Sequence, residues 1–267
     1  MAENQFESEL DGASPTGAQS VDRAMQLLRL IGDAGSAGAT LQSMAEALAL
    51  SKPTCRRLLL ALARGGMVEQ THHNNRYWLG AGLFALANQA TTGHVMSADI
   101  RRQVQDLASV CGETCFLSVR RGNFGVIVDR FDPITVDVAK RATRGAEYPL
   151  GVGAAPLAIF SAISATDAED SLNANDGLIA RHFRRASVDK ILMARQETLD
   201  QGYSLNRGMV FDGTWGLGVA LRSRSGRVVG ALSISAKAEK LLSTTRQREL
   251  GDRLIRSASS ISTELPA

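Results

Sequence analysis

Three features of the sequence predict an α+β fold in two domains. Apolar residues recur at helical spacing through 19–64 and give way to two short alternating runs at 68–71 and 76–79. Farther on, alternating runs come as hairpins, one across Arg121-Gly122-Asn123 and one across Ser225-Gly226. Helical patterns lie before, between and after those hairpins. That order calls for a mostly antiparallel sheet with helices on it, not for a doubly wound parallel sheet.

The first elements follow in order. Val21, Ala24, Leu28 and Ile31 mark a helix over 19–34, and GSAGA at 35–39 breaks it. Leu41, Met44, Ala45 and Leu48 mark a short second helix with Thr40 as its N-cap. Ala49-Leu50-Ser51 is the turn, and a third helix opens with Ser51 as N-cap and Pro53 in its first turn, where a missing N–H costs little. Its apolar side is Cys55, Leu58, Leu59 and Leu62. Pro53, Arg57 and Arg64 lie opposite, flanked by Thr54 and Arg56. A helix, a short helix, a tight turn and a helix with a basic outer face make the helix-turn-helix plan, whose last helix enters the major groove. The runs at 68–71 and 76–79 form a hairpin beside it, a wing from which Arg76 reaches a phosphate or the minor groove. A basic surface helix on a small bundle, with a solvated hairpin, remains the alternative.

Composition sets the limits on function. The chain has 267 residues, enough for a sizeable core. With 44% apolar and 21% charged residues it is globular in type. A net charge of +3 is too small to argue for nucleic acid in bulk. The distribution says more: residues 19–82 carry seven basic side chains against four acidic ones, and Lys52, Arg56 and Arg57 are clustered. No run of about 18 apolar residues predicts a membrane span. The start, MAENQFESELDGASPTG, has neither the basic nor the apolar region of a secretory signal and reads as a disordered leader. Cys55, Cys111 and Cys115 are odd in number, and CGETC is not a zinc spacing, so they read as cytosolic thiols in a cytoplasmic protein. His72 and His73 lack a matching ligand set and are not expected to hold a metal.

Residues 80–93, GAGLFALANQATTG, carry no charge, and Leu83, Phe84, Leu86, Ala87 and Ala90 make a helix apolar on more than one side. It is expected to pack on another chain or on the next domain; packing wholly within its own chain is the alternative.

In the second half, Ile100, Val104, Leu107, Ala108 and Cys111 mark a helix, 135–142 is a strand candidate, and helices are expected at 154–163, at Val188–Gln201 and from about 243 to 262. GVGAA at 151–155 precedes one of these helices. Its glycines permit close approach of a ligand, and free amides at a helix start favour an anion. In the last hairpin, Gly216, Gly218 and Ala220 share a face, as do Ala231, Ser233 and Ser235; Leu217, Val219, Leu221, Leu232 and Ile234 point the other way. A small-residue face with two hydroxyls leaves room for a small molecule. A tight turn at 151–155 and a sheet face closely covered by a helix are the plainer alternatives.

TLQSMAEALALSKPTCRRLLLALARGGMVEQ followed by RYWLG resembles the winged helix-turn-helix of the IclR family of bacterial transcriptional regulators. Lys52, Thr54 and Arg57 match the family's recognition-helix run, while Ser51 and Pro53 are exchanged relative to it. Glu113-Thr114, VIVDR at 126–130, GAEYPLGVGAAPLAIF, GYSLNRG at 202–208 and GALSIS resemble the family's GAF-like effector-binding domain. The resemblance covers the chain after about residue 19. It implies a leader over 1–18, a winged helix-turn-helix DNA-binding domain over 19–82, a dimer-supporting linker helix over 83–94 and a GAF-like domain over 95–267. It also implies an effector pocket at Ala154, Ala155, Asn206, Gly216, Ser233 and Ser235. Asn206 stands where the family has a carboxylate and Gly216 where it has a thiol, which makes the pocket roomier or less charged. Gly151 stands where the family often has His, and Pro156-Leu157 where it often has Gly-Lys.

An enzyme needs a nucleophile, a base and an orienting group in reach, and no GxSxG, Walker or zinc motif supplies them. The reading is a cytoplasmic regulator without catalytic, metal or cofactor site. It binds double-stranded operator DNA through Lys52, Thr54, Arg56, Arg57 and Arg76, as a homodimer or tetramer. It senses a small organic or aromatic acid through Leu150, Gly153, Ala154, Ala155, Asn206, Gly216, Leu217, Ser233 and Ser235. The carboxylate is placed on the Ala154 and Ala155 amides, and the apolar body of the ligand on Leu150 and Leu217. A DNA-binding protein whose second domain is purely structural is the rival.

Overall fold

The computed structural model describes residues 18–70, 75–89, 97–133 and 142–266. The expected leader, His72, His73, His94 and all but the last residue of the strand candidate at 135–142 lie outside the described residues. The chain divides into two compact units, Met1–Gly93 and His94–Ala267.

The first unit runs α1 (Gln19–Asp33), β1 (Ala39–Thr40), α2 (Leu41–Ala47), α3 (Lys52–Arg64), β2 (Val68–Gln70), β3 (Arg76–Leu79) and α4 (Ala81–Gln89). Side chains fix the helix starts. Thr40 accepts from the Ser43 amide while Ser43 reaches back to the Thr40 amide, a capping box. Ser51 accepts from the Thr54 amide. Between them Ala49 turns the chain with φ 49°, a left-handed conformation that costs a non-glycine residue about 1 kcal/mol. The core is Leu27, Ile31, Met44, Ala45, Cys55, Leu59, Val68 and Tyr77. The buried stripe of α1 is therefore turned from the expected one. Leu27 and Ile31 face inward, Leu28 is half-buried and Val21 is 63% exposed, because α1 carries apolar residues on more than one side and the core takes one. The three strands order β1-β3-β2, all antiparallel.

The second unit runs α5 (Ala98–Cys111), β4 (Thr114–Arg121), β5 (Phe124–Phe131), β6 (Glu147–Pro149), α6 (Ala154–Ala162), α7 (Ala165–His182), α8 (Val188–Gln201), β7 (Ser204–Asn206), β8 (Thr214–Arg222), β9 (Val228–Lys237) and α9 (Thr244–Glu264). The sheet orders β6-β5-β4-β9-β8-β7 and is antiparallel throughout. One face holds the core. Val104, Leu107 and Ala108 of α5 and Leu250, Leu254, Ala258 and Ile261 of α9 pack on Leu117, Leu217, Leu232 and Ile234. The other face carries α6, which also packs on α8. Ser97, Ser164, Ser187 and Ser243 cap α5, α7, α8 and α9 through their hydroxyls. Helix α6 starts instead at Gly153, with φ 98° and no side-chain cap.

A bulge in β5 decides which residues face which layer. Leu117 pairs with Asp129 and Ser118 with Ile127, so Val128 is the extra residue. Asp129 is thereby turned toward α5. It is 1% exposed and meets Arg101 at 3.1 Å, Arg144 at 2.7 Å and its neighbour's amide at 2.9 Å, the pairing a buried carboxylate needs.

Helix α9 lies on Tyr203 so closely that a Cβ at Gly251 would run into its ring. Gly→Ala inside a helix ordinarily stabilises by about 1 kcal/mol. Here the sign inverts: Gly251→Ala is expected to lower the melting temperature by about 2–8 °C, as a loss of about 1–2 kcal/mol does in a domain of this size. A thermal melt followed by circular dichroism checks it, and a rise would contradict the close contact.

Candidate nucleic-acid interface and ligand cavity

Helix α3 uses one side for the core and leaves the other open. Cys55 and Leu59 are fully buried, Leu58 and Leu62 pack at the core's edge, and Lys52, Arg56, Arg57 and Arg64 are exposed. The structure brings Lys52, Arg56 and Arg57 together on the first two turns. Thr54 is half-buried, and its hydroxyl shares a 2.8 Å hydrogen bond with that of Ser51, so it serves the cap. Arg76 departs from expectation. Its Nη1 donates to the carbonyls of Ala37 (3.2 Å) and Gly38 (2.9 Å), because β3 is the central strand and pairs with β1, which sets residue 76 against the preceding loop. The guanidinium is turned onto its own chain. Trp78 Nε1 donates to the Ser36 carbonyl, and its ring covers Gly38, closing the same corner.

In the second unit a cavity of about 80 Å³ lies between the start of α6 and the sheet. At roughly 10–15 Å³ for each water-sized centre, that is room for several waters or one small molecule. Gly153, Ala154, Ala155, Asn206, Gly216, Ser233 and Ser235 all line it. Leu150 and Leu217 do not, which corrects their expected place. Leu217 points to the opposite face and is sealed in the core under α5 and α9, as strand alternation demands. Leu150 is fully buried, with its amide tied to the Asn123 carbonyl at 2.9 Å.

The glycines of β8 act differently from expectation as well. A Cβ at Gly216 would stand 3.0 Å from the Ala154 Cβ, and one at Gly218 would stand 2.6 Å from the Ala154 oxygen. Their smallness admits the helix and so does not enlarge the cavity. Ser204 fixes the approach: its hydroxyl donates to the Ala154 carbonyl at 2.7 Å. Asn206 is engaged too, its Oδ1 accepting from the Met209 amide at 3.0 Å. A carboxylate could accept that bond equally well; what the amide removes is a negative charge.

Sequence reasoning missed the walls. Phe116, Tyr148, Phe211 and Trp215 supply aromatic surface, Ile127 and Val210 aliphatic surface, and Ser118 and Thr214 further hydroxyls. Phe116 and Ser118 were legible in principle, since they alternate on the strand that leads into the Arg121-Gly122-Asn123 turn. Phe211 and Trp215 come from a loop and a strand end that carry no periodic signal. Among the described residues, no Lys, Arg, His, Asp or Glu lines the cavity. At Gly153, Ala154 and Ala155 the cavity is bounded by the start of α6, where the first amides lack intrahelical partners and sit at the positive end of the helix dipole.

Other chemistry finds little support. Among the described residues no group of three or more His, Cys, Asp and Glu side chains could hold a metal ion. Cys55, Cys111 and Cys115 are buried and free, and burial pushes their thiols up, away from the reactive thiolate. No helix of the described residues is long and apolar enough to cross a membrane.

Comparison with known proteins agrees with this geometry. The family model of the IclR helix-turn-helix domain matches residues 20–72, and that of the bacterial transcriptional regulator IclR C-terminal domain matches residues 88–263. The glycerol operon regulatory protein of Streptomyces griseus is 30% identical over 229 residues, covering 84% of this chain and 86% of its own. The HTH-type transcriptional regulator XynR of Escherichia coli is 26% identical over 223 residues, covering 81% and 85%. In fold, the chain is similar to an IclR transcriptional regulator from Alicyclobacillus acidocaldarius (TM-score 0.72, 21% identity, 92% and 98% covered). It is similar in the same measure to an IclR homolog from Microbacterium hydrocarbonoxydans solved with 4-hydroxybenzoate (TM-score 0.72, 18% identity, 92% and 98% covered). With both units matched, the chain belongs to the IclR family of bacterial transcriptional regulators, DNA-binding proteins that respond to a ligand.

Proposed function

We propose that this regulator reads operator DNA as a homodimer or a tetramer through Lys52, Arg56 and Arg57, and that its second domain senses a small organic acid, aromatic in body. The observation that carries the acid is the cavity: aromatic walls, hydroxyls on the floor, no charged side chain among the described lining, and the uncapped start of α6 at one boundary. Such a site takes a flat apolar body and leaves the anion to backbone dipoles. The relative solved with 4-hydroxybenzoate supports the same ligand class. Assembly is supported by α4, where Phe84 is 73% and Leu86 54% exposed. Two large apolar side chains on a charge-free helix want a cover, and paired recognition helices need a two-fold partner.

Three measurements test this. Arg57 is exposed and off the core, so Arg57→Ala is expected to leave the melting temperature nearly unchanged and to weaken binding to the operator, recovered by selection from genomic fragments, by more than about tenfold. Normal binding would remove α3 from the interface. Replacing Phe84 and Leu86 by Glu is expected to give smaller species in light scattering; a wild-type protein monomeric at micromolar concentration would end the assembly reading. Calorimetry with benzoate and methyl benzoate reads the anion site. The acid is expected to bind more tightly, by about tenfold, the upper range of a charge at a partly buried helix start. Equal affinities would rule out the anion site while leaving the cavity.

A further inference from the structure

We propose that Ser118 sets ligand specificity in this cavity, its hydroxyl pairing with a neutral oxygen of the ligand, in the simplest case a hydroxyl on the ring. The inference rests on the reading of the cavity as a ligand site. It adds a second polar contact, carried by a different residue from those at the start of α6.

Ser118 lies on β4, its backbone in register with Ile127 on one side and Ala231 on the other. It is 1% exposed and lines the cavity. Its Oγ is sealed from solvent and has no hydrogen-bond partner among the described residues. The reason is local. Across the strands its neighbours are Ile127 and Ala231, and on its own strand Phe116 precedes it on the same face, all apolar. Arg120, the next residue on that face, turns its Nε to the Gly122 carbonyl, and the bulge at Val128 leaves Ile127, not Asp129, across from Ser118. A buried hydroxyl without a partner costs stability, and large-scale solvation is closed to it. The remaining source of a partner is whatever enters the cavity. The surrounding wall sharpens the choice: Phe116 and Ile127, beside Ser118 in the sheet, make this part of the cavity apolar, so a charged group there would be desolvated without compensation, whereas one neutral oxygen would be matched by one hydroxyl. Ser233 and Ser235 lie on β9 in the rows of Phe116 and Thr114, displaced from Ser118's row, so one polar group of a ligand does not serve all three hydroxyls.

The experiment uses the full-length protein and Ser118→Ala, with benzoate, 3- and 4-hydroxybenzoate and phenol as probes. Without ligand, the variant is expected to melt no lower than the wild type, since it loses an unsatisfied group. A fall of several degrees would show that the hydroxyl serves the fold and would overturn the proposal. In calorimetry the wild type is expected to prefer the better hydroxybenzoate to benzoate by about tenfold, the scale of one hydrogen bond gained in a buried site, and the variant to lose that preference. A wild type indifferent to the ring hydroxyl, or a variant that keeps the preference, overturns it while the acid reading stands. If no acid binds but phenol does, and Ser118→Ala weakens phenol, the acid reading falls and the Ser118 contact stands. If none of the probes binds, both fall.

Discussion

The second domain is organised by one close approach, the start of α6 against β8. Gly216 and Gly218 remove the side chains that would hold the helix off, Ser204 bonds the Ala154 carbonyl, and Pro156 rests on Gly125 across the sheet. Leu157, Ile159 and Phe160 are then fully buried. Burial of that order, at about 2 kcal/mol for each large side chain, makes α6 part of the core and not a lid on it. Because contact is made at the helix start and along the small-residue strands, the sheet is left uncovered on either side of that start. The cavity is that remainder. Its position therefore follows from glycine placement, and its walls are whatever the neighbouring strands and loops present there.

The same logic of one face spent and another left over governs the first unit. Cys55 and Leu59 spend one side of α3 on the core, and Lys52, Arg56 and Arg57 have nowhere to go but solvent or a phosphate. The short helices around it are too brief to be stable alone, so the hydroxyl caps at Thr40 and Ser51 carry more of their definition than propensity does. That need explains Thr54, whose hydroxyl supports the Ser51 cap. It also explains how Ser51 and Pro53, exchanged relative to the family run, still open a helix: serine is a good cap and proline is harmless inside the first turn.

Much of this was legible in the sequence, and the failures have physical causes. Helix α8, both long hairpins and the caps at Thr40 and Ser51 follow from periodicity and capping chemistry. Helix α7 escaped because its buried side includes Ala168, Ser171 and Asn175, which give no apolar stripe; Ser171 and Asn175 are satisfied by Asn123, a partner about fifty positions away in sequence. Strands β6 and β7 have three residues each, too few for a period. In the cavity, Gly216, Ser233 and Ser235 of the small-residue faces line it while Gly218, Ala220 and Ala231 do not, and Leu150 and Leu217 were placed by nearness in sequence and lie elsewhere. Phe211 could not be read because it reaches the cavity through a loop, and Tyr148 because β6 is too short to show a period. The contact of Arg76 was hidden for a related reason: β1, two residues long, pairs with β3 and brings the Arg76 Nη1 to the Gly38 carbonyl.

A lining without charged side chains among the described residues suits a domain that must fold both empty and filled. A lysine or arginine buried in the cavity to meet an acid would, without ligand, be an uncompensated charge at a cost of several kcal/mol. Fixed amides at the start of α6 carry only partial charge and cost little when unoccupied. An unpaired hydroxyl such as Ser118 costs about 1–3 kcal/mol, a strain a folded domain tolerates and a matching ligand relieves. On the proposed reading, affinity comes from aromatic burial and discrimination from single hydrogen bonds. Loss of one such bond leaves a buried group unpaired and is felt more strongly than loss of a methylene. On this footing the substitution of Asn206 for a carboxylate is consistent with the rest of the lining. The amide still holds the turn at Met209, and it withdraws a negative charge that would oppose an acid at the helix start.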